Sequence, residues 1–227
     1  MQRKIQGLYA IADNSFRPDL TPADLAEAFL QGGTKIVQLR MKPTDVILSP
    51  RGEESRNPQD NIFNNAQKIM RLKKKYDFTF IVNDHVDVAL AVEADGVHVG
   101  ADDMPVTEVR RRVGPKMLIG YSSHSLEEAL EAEKAGADYV AFGAIFPTKT
   151  KGPGHPVQGL EKLQQVVQAL EIPLVAIGGI NKENFRGVLE TGVSSVAMIT
   201  ALTDAENIAE ATKFFNINTS AHQHIRT

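Results

Sequence analysis

The sequence contains no cysteine, no long apolar run and no excess of positive charge. Without cysteine the chain can form neither a disulfide framework nor a thiolate metal site, and we therefore expect a cytoplasmic protein. The segment from Met1 to Ile5 lacks the apolar run of a signal peptide, and no stretch approaches the length of a membrane span. The formal net charge of -3 argues against binding to nucleic acid or to an anionic membrane, since such proteins usually carry a basic excess.

The 227 residues have an ordinary globular composition, with 42% hydrophobic and 23% charged residues, which predicts one domain with one large core. Within the chain, a helical segment, a glycine stop and a short apolar strand recur. Ala135-Gly136-Ala137-Asp138 precedes the apolar strand at Tyr139, and similar stops precede Val97 and Val196. This is the period of a βα unit, in which glycine ends each helix.

Counting these units predicts eight strands, near residues 6–11, 35–40, 78–82, 96–99, 117–120, 139–143, 173–177 and 195–199. The predicted helices lie near residues 21–31, 59–75, 85–93, 105–113, 125–135, 159–170, 182–191 and 205–215. Their starts are indicated by Thr21 before a proline, by Ser125 with Glu128 as a capping box, and by Asn181 and Asp204.

Eight βα units of about 28 residues each predict a (β/α)8 TIM barrel, an α/β fold, as a single catalytic domain over residues 1–215. A doubly wound sheet is the alternative, but no Gly-x-Gly-x-x-Gly follows the first strand. The proline-rich segment 43–59 is predicted to be a long mobile loop, and both a lid and a simple insertion are compatible with it. The tail 216–227 has little apolar periodicity and is predicted to be flexible.

Polar or glycine residues follow most of the predicted strands, at the carboxyl ends where TIM barrels build their active sites. In chain order the set is Gln38, Arg40, Lys42, Asn83, Asp84, Asp102, Asp103, Ser122, Thr148, Thr150, Lys151, Gly178, Gly179, Ile199 and Thr200.

Three chemical roles are expected from this set. Arg40, Lys42 and Lys151 supply cations for a diphosphate, and Asp84 with Asp103 supplies carboxylates for Mg²⁺, although spacing alone does not distinguish Asp103 from Asp102. The residues after strands seven and eight resemble the phosphate site of many barrels. A diphosphate site beside a monophosphate site predicts two substrates and therefore a transfer reaction.

Plainer interpretations stay open for single residues. Asp84 could cap the following helix, and the loop from Thr148 to Lys151 could simply be solvated. His98 is better explained as a packed, hydrogen-bonded histidine than as a catalytic one. The run from Arg110 to Arg112 is most simply a solvated helix end.

A set of motifs in this order resembles the thiamine phosphate synthase family over about residues 7–210. The motifs are Gln38-Leu39-Arg40-Met41-Lys42, Asn83-Asp84, Ala94-Asp95-Gly96-Val97-His98-Val99-Gly100 with Asp103, Gly120-Tyr121-Ser122, Phe146-Pro147-Thr148-Lys149-Thr150-Lys151 and Ala176-Ile177-Gly178-Gly179-Ile180. The resemblance implies condensation of 4-amino-2-methyl-5-hydroxymethylpyrimidine diphosphate with 4-methyl-5-(2-hydroxyethyl)thiazole phosphate, which gives thiamine phosphate and diphosphate.

The resemblance also implies roles for individual residues. The pyrimidine diphosphate would contact Gln38, Arg40, Lys42, Asn83, Ser122 and Lys151, of which Arg40, Lys42, Ser122 and Lys151 would be catalytic. Asp84 and Asp103 would hold Mg²⁺, and the thiazole phosphate would contact Thr148, Thr150, Gly179, Ile199 and Thr200. The reaction implied is dissociative, with a pyrimidine carbocation that the thiazole nitrogen attacks. The chain departs from the family pattern at His85, at Ala144 and in the long loop 43–59.

Two alternatives stay open. A thiazole tautomerase on a similar barrel is favoured by His124, which lies near the catalytic histidine of that relative. A non-catalytic barrel that binds phosphorylated thiamine precursors should lack some of the diphosphate or metal residues, yet all are present. The partners expected are small-molecule substrates, and the sequence does not decide between a monomer and a homo-oligomer.

Overall fold

The computed structural model describes residues 5–41, 58–148 and 156–224, except for the side chains of residues 58–60 and 221–224. Eight parallel strands hydrogen-bond in the order β1 to β8, and β8 pairs with β1 to close a barrel. The strands are β1 (Gly7–Ala12), β2 (Ile36–Leu39), β3 (Thr79–Asn83), β4 (Gly96–Val99), β5 (Leu118–Ser123), β6 (Tyr139–Phe142), β7 (Leu174–Ile177) and β8 (Ser195–Met198). The predicted (β/α)8 architecture is therefore confirmed, and the open doubly wound sheet is excluded.

The helices surround this barrel and agree with the prediction except near the C-terminus and at the seventh helix, which begins at Phe185 rather than directly after Asn181. They are α1 (Pro22–Gln31), α2 (Pro58–Arg71), α3 (Val86–Ala91), α4 (Val106–Val113), α5 (Leu126–Lys134), α6 (Gly159–Ala169), α7 (Phe185–Glu190), α8 (Thr200–Thr203) and α9 (Ile208–His224). Short 3-10 helices lie at Asn14–Phe16 and Leu72–Lys74. Within the three described ranges, no helix combines the length and apolar character needed to cross a membrane.

The helix starts show which cap predictions hold. Thr21 and Asp24 form a reciprocal capping box at α1, and the Ser125 hydroxyl accepts the Glu128 amide of α5 at 3.1 Å. The Glu128 carboxylate accepts the amide of His124 at 2.7 Å, so the second half of the predicted box at Ser125 is replaced by this bond.

The C-terminal region requires two corrections. Asp204 ends the unpredicted helix α8, and the side chain of Asn207 caps α9 by accepting the Glu210 amide at 3.1 Å. The last helix does not end near residue 215 as predicted, because α9 continues to His224, and the flexibility expected for the tail 216–227 stays a prediction. Thr219 is buried there, and its hydroxyl donates to the Phe215 carbonyl at 2.9 Å. Helix α2 begins at Pro58, and the rest of the predicted loop 43–59 lies outside the described residues.

Two apolar layers form the core. Strand residues that face outward pack against the helices, whereas a smaller cluster that includes Tyr9, Ile36, Ile81, Tyr139 and Val175 fills the barrel interior. Both tyrosines are fully buried, with exposures of 2% for Tyr9 and 0% for Tyr139. The interior is therefore a packed core rather than a channel.

In three of the repeats, the polar residue of the recurring segment ties the new strand to its neighbour. Asp95 accepts the Phe80 amide of β3, and Asp138 accepts the Ile119 amide of β5, both at 2.7 Å. At the closure, the Ser195 hydroxyl donates to the Gly7 carbonyl at 2.7 Å. These side chains fix strand register at the amino end of the barrel, which gives the repeat in the sequence a physical reason.

Arg110 contributes to the same support and is not simply solvated. Its guanidinium donates to the carbonyl of Met117 at 2.9 Å, to that of Gly136 at 3.0 Å and to the carboxylate of Asp138. Arg112 follows the sequence interpretation, since it is exposed and pairs with Glu108 one helical turn away.

The replacement Asp138→Ala should destabilise the fold by about 1.5–3 kcal/mol, because it removes a charge-assisted acceptor of the Ile119 amide and of Arg110. Urea unfolding of the variant measures the change. Glu206→Ala, at an exposed acid in the connection between α8 and α9, is the control and should change stability by less than about 0.5 kcal/mol. Equal stability of the two variants would contradict this account of the repeat.

Candidate active site

The carboxyl ends of all eight strands open onto one cavity. Each strand or its following loop contributes at least one lining residue, among them Ile11, Gln38, Asn83, His98, Ser122, Gly143, Ile177 and Ala197. The closed parallel barrel produces this convergence, since every strand ends on the same rim.

Most of the residues predicted from the strand ends lie in this cavity. Its lining includes Gln38, Arg40, Asn83, Ser122, Thr148, Gly179, Ile199 and Thr200. Lys42, Thr150 and Lys151 lie outside the described residues, so their part in a cation clamp stays a prediction. The cavity thus brings together the eight described residues expected for two different phosphorylated substrates.

Arg40 is held from behind by an acid that the sequence analysis missed. Its guanidinium donates to the carboxylate of Asp13, which is fully buried and also accepts the Ser15 amide at 3.0 Å. A buried ion pair of this kind fixes the cation in direction as well as in charge. Asp13 directly follows β1 on the same rim, so the strand-end rule, extended to β1, indicates this residue from the sequence alone.

Gln38 and Asn83 form a buried amide pair on the cavity wall. The Gln38 amino group donates to the Asn83 side-chain oxygen at 3.0 Å, and the two residues are 3% and 9% exposed. Amide groups held in fixed planes offer donors and acceptors at defined positions, which suits the edge of a polar heterocycle.

His98 is buried and hydrogen-bonded on both ring nitrogens, which confirms the interpretation of a packed histidine. Its Nδ1 lies 3.1 Å from the Tyr139 hydroxyl, and its Nε2 lies 2.8 Å from the Ser122 hydroxyl. Since His98 and Ser122 both line the cavity, the histidine orients a residue that was predicted to contact substrate.

Two aspartates are tied to the end of β4, Asp84 through its backbone and Asp103 through its side chain. The Asp84 amide donates to the His98 carbonyl at 2.8 Å, and the Asp103 carboxylate accepts the Gly100 amide at 2.8 Å. A side chain at Gly100 would begin 3.4 Å from the Asp103 carboxylate and 3.9 Å from the Ser122 Cβ, so the glycine leaves a space between them. Neither carboxylate lines the cavity itself.

This arrangement fits Mg²⁺. In the described part of the chain, no three His, Asp or Glu side chains cluster as a ready-made metal site. Mg²⁺ is commonly bound through only one or two carboxylates together with substrate phosphates, so a complete protein cage is not required. Asp84 and Asp103 provide oxygen ligands of the right kind beside the cavity.

The turn after β7 is built from two glycines in the left-handed region, with φ angles of 99° at Gly178 and 66° at Gly179. A side chain on Gly178 would meet Ala144 at 2.6 Å, and one on Gly179 would meet the Pro147 carbonyl at 2.5 Å. Only glycine therefore allows this turn to pack against the loop after β6. The contact holds the Gly178-Gly179 turn and Thr148 on the same wall of the cavity.

His124 and His85 lie away from the cavity lining. The Nδ1 of His124 lies 3.6 Å from the Glu128 carboxylate on the next turn of α5. His85 precedes α3, and its amide donates to the Asn83 carbonyl at 2.7 Å. The histidine that favoured a tautomerase is thus outside the pocket that receives the other predicted residues.

Comparison with known proteins places the chain in one family. A family model described as thiamine monophosphate synthase matches residues 8–202. The thiamine-phosphate synthase of Pyrococcus furiosus is 44% identical over 206 residues, 91% of each chain. That of Shouchella clausii is 41% identical over 206 residues, which cover 91% of this chain and 92% of the relative.

The solved structure of a thiamine phosphate pyrophosphorylase from Pyrococcus furiosus agrees with the barrel, with a TM-score of 0.82 and 39% identity over 96% of each chain. Sequence, fold and cavity therefore lead to the same conclusion. The chain belongs to the thiamine monophosphate synthase family.

Proposed function

We propose that this protein is a thiamine phosphate synthase, a transferase of thiamine biosynthesis. It transfers the 4-amino-2-methylpyrimidin-5-ylmethyl group from its diphosphate to thiazole phosphate and releases diphosphate. The observation that carries the proposal is the convergence of the eight described residues expected for the two substrates in a single cavity. The family relatives named above support the same activity.

The diphosphate end of the pyrimidine substrate is assigned to Arg40, with Lys42 and Lys151 as further predicted cations. The ion pair with buried Asp13 holds the Arg40 guanidinium in place before substrate arrives. A preformed cation costs little reorganisation when negative charge develops on the leaving group. Arg40 therefore acts by stabilising departure of diphosphate rather than by attacking the substrate.

The pyrimidine ring is assigned to the wall that carries Gln38 and Asn83. Their hydrogen bond at 3.0 Å fixes both amide groups, and the surrounding strands bury them. This pair can hold the polar edge of the ring while apolar neighbours such as Ile11 and Ile177 line the rest of the cavity.

Asp84 and Asp103 are the residues that would hold Mg²⁺ against the diphosphate. A bound Mg²⁺ would neutralise charge on the diphosphate oxygens and favour their departure. The Gly100 amide fixes the Asp103 carboxylate, and the His98 carbonyl fixes the Asp84 backbone. The first contact fixes the Asp103 carboxylate itself, and the second fixes the backbone of Asp84, which directly follows the cavity residue Asn83.

The thiazole phosphate is assigned to the opposite wall, with Thr148, Gly179, Ile199 and Thr200, and with Thr150 as a further predicted contact. Because the glycine turn packs on the loop after β6, these groups are held together without a long flexible side chain. The acceptor nitrogen is thereby presented to the pyrimidine carbon from which diphosphate leaves.

The resemblance to the family implies a dissociative reaction, and the residues present suit it. Bond cleavage gives a pyrimidine carbocation and diphosphate, and the thiazole nitrogen then forms the new bond. The chain supplies charge stabilisation and orientation, and it needs no protein nucleophile. A tautomerase is less well supported, because His124 lies outside the cavity whereas Arg40 and Ser122 line it.

Incubation of both precursors with the protein and Mg²⁺ should give thiamine phosphate, detected by chromatography. Asp84→Asn should abolish this Mg²⁺-dependent coupling, because it removes a ligand charge while asparagine still tolerates the φ of 63° at this position. Asp102→Asn, at an exposed neighbour of the proposed ligand Asp103, is the control and should keep wild-type activity.

Absence of thiamine phosphate with the wild-type protein, together with tautomerisation of a carboxylated thiazole phosphate, would favour the tautomerase instead. Normal Mg²⁺-dependent coupling by Asp84→Asn would contradict the metal assignment alone.

The replacement Arg40→Ala should weaken binding of inorganic diphosphate with Mg²⁺ about 10- to 100-fold, as expected for loss of a charge-assisted hydrogen bond. Asp13→Asn should cause a smaller loss, because Arg40 keeps its charge but loses its buried anchor. Isothermal titration calorimetry measures both, and Arg112→Ala serves as a control at an exposed arginine. Unchanged affinity in Arg40→Ala would remove this residue from the diphosphate site.

A further inference from the structure

Four side chains form a continuous hydrogen-bonded chain from the barrel core to the cavity. The Tyr9 hydroxyl lies 2.9 Å from the Tyr139 hydroxyl, which lies 3.1 Å from His98 Nδ1. His98 Nε2 lies 2.8 Å from the Ser122 hydroxyl at the cavity wall. Three of the four members are buried, and Ser122 reaches the cavity.

The chain can be ordered in two directions, since hydroxyls and a neutral imidazole can each donate or accept. In the outward direction Tyr9 donates to Tyr139, Tyr139 donates to His98 Nδ1, and His98 Nε2 donates to Ser122. In the inward direction every donor and acceptor is exchanged. The two directions differ at the ends of the chain, at Tyr9 and at Ser122.

The surroundings of the Tyr9 hydroxyl favour one of the two hydrogen-bond directions. Among the described residues, the Tyr9 hydroxyl has Tyr139 as its hydrogen-bond partner, and it is enclosed in the apolar interior cluster. If Tyr9 accepted this bond, its own proton would be buried without an acceptor, which is the expensive case for a polar group. The penalty favours the outward direction by about tenfold or more.

Tyr9 and Tyr139 both keep their phenolic protons, so each hydroxyl needs a hydrogen-bond acceptor. Burial raises the pKa of Tyr9 well above its ordinary value, and it does the same for the pKa of Tyr139, where the neighbouring Tyr9 adds to the effect. Neither can act as a phenolate acceptor that would allow the inward direction.

Gly120 leaves the space in which the hydrogen bond between Tyr139 and His98 forms. A side chain at this position of β5 would collide with the Tyr139 ring, the Tyr139 hydroxyl and His98 Nδ1. The barrel therefore keeps an open position at the meeting point of these two side chains, and the rings of His98 and Tyr139 pack 5.5 Å apart between their centroids.

We propose that Tyr139, which accepts the Tyr9 proton, donates to His98 and holds it in its Nε2-protonated tautomer, so that Ser122 accepts from His98 and directs its own proton into the cavity. Ser122 thereby becomes an obligatory donor to an anionic oxygen of the ligand. That this oxygen belongs to the pyrimidine diphosphate rests on the proposed function. Tyr139 is a positioning residue, since it acts through His98 and does not line the cavity.

The direction matters because an oxyanion binds a donor and repels a lone pair. A Ser122 that gave its proton to His98 would present only lone pairs to the diphosphate. In the outward direction its proton instead meets the charge that grows as the diphosphate leaves. The buried tyrosines in the barrel core thus determine whether the Ser122 hydroxyl on the rim donates to or accepts from the ligand.

The hydrogen-bonded chain from Tyr9 to Ser122, called the relay below, predicts different behaviour for two matched variants. In Tyr9→Phe the Tyr139 hydroxyl becomes the end of the chain and still has to donate to His98, so the tautomer is retained. In Tyr139→Phe the ring nitrogen loses its donor, so both tautomers should become populated. Each variant removes one hydroxyl from the same buried pair, so loss of packing is comparable.

Nitrogen-15 NMR of histidine-labelled protein without substrate reads the tautomer directly, and the His98 signals are assigned by their loss in His98→Gln. The wild-type protein and Tyr9→Phe should show a protonated Nε2 and an unprotonated Nδ1, whereas Tyr139→Phe should show both forms. For pyrimidine diphosphate, kcat/KM should fall about tenfold in Tyr139→Phe and less than about twofold in Tyr9→Phe.

A wild-type His98 protonated on Nδ1 would overturn the proposal, even if Tyr139→Phe failed to fold. The same tautomer ratio in Tyr139→Phe as in Tyr9→Phe would also overturn it. The NMR result does not depend on the reaction, so a protein that shows the expected tautomer but forms no thiamine phosphate would refute the proposed function and leave the relay intact.

Discussion

Closure of the barrel between β8 and β1 is the constraint on which the site depends. The Gly7 amide donates to the Ser194 carbonyl at 3.0 Å, and the Ser195 hydroxyl donates to the Gly7 carbonyl at 2.7 Å. These bonds join the two ends of the sheet and leave no open strand edge. Since every strand then ends on one rim, groups distant in sequence can meet in a single cavity.

The same closure explains how residues in the barrel interior can hydrogen-bond residues that line the cavity. Tyr9 and Tyr139 are 130 residues apart, yet they lie in one apolar layer inside the barrel with their hydroxyls in contact. The apolar layer below the cavity therefore also positions polar groups, because Tyr139 hydrogen-bonds His98, which in turn hydrogen-bonds Ser122. Asp13 does the same for Arg40 on another side of the rim.

Much of the fold followed from local rules. Each glycine stop and the acid or hydroxyl near it marks a helix end and a strand start, which is why all eight strands were predicted close to their observed positions. Helix α8 was missed because it has only four residues and begins after Ile199, which offers no side-chain cap. The end of α9 was missed because its buried threonines satisfy their hydroxyls within the helix, as Thr212 does on the Ile208 carbonyl at 2.7 Å.

The position of the site could be predicted from one general rule, that TIM barrels build their active sites at the carboxyl ends of the strands. The residues predicted from the strand ends include nine that line the cavity, but the rule does not show which partner holds each one. The pairing of Arg40 with Asp13 and the bond from Tyr9 to Tyr139 arise only when the barrel closes, because each joins segments far apart in sequence. Spacing along the chain cannot reveal such contacts without the tertiary structure.

One cavity at this rim is proposed to bind both substrates of the transfer reaction. A crystal structure with thiamine phosphate, diphosphate and Mg²⁺ tests it most directly. We expect both products in the cavity between Gln38, Ser122 and Gly179, with the metal bound to Asp84 and Asp103. Products bound elsewhere, or a metal that touches neither carboxylate, would contradict it.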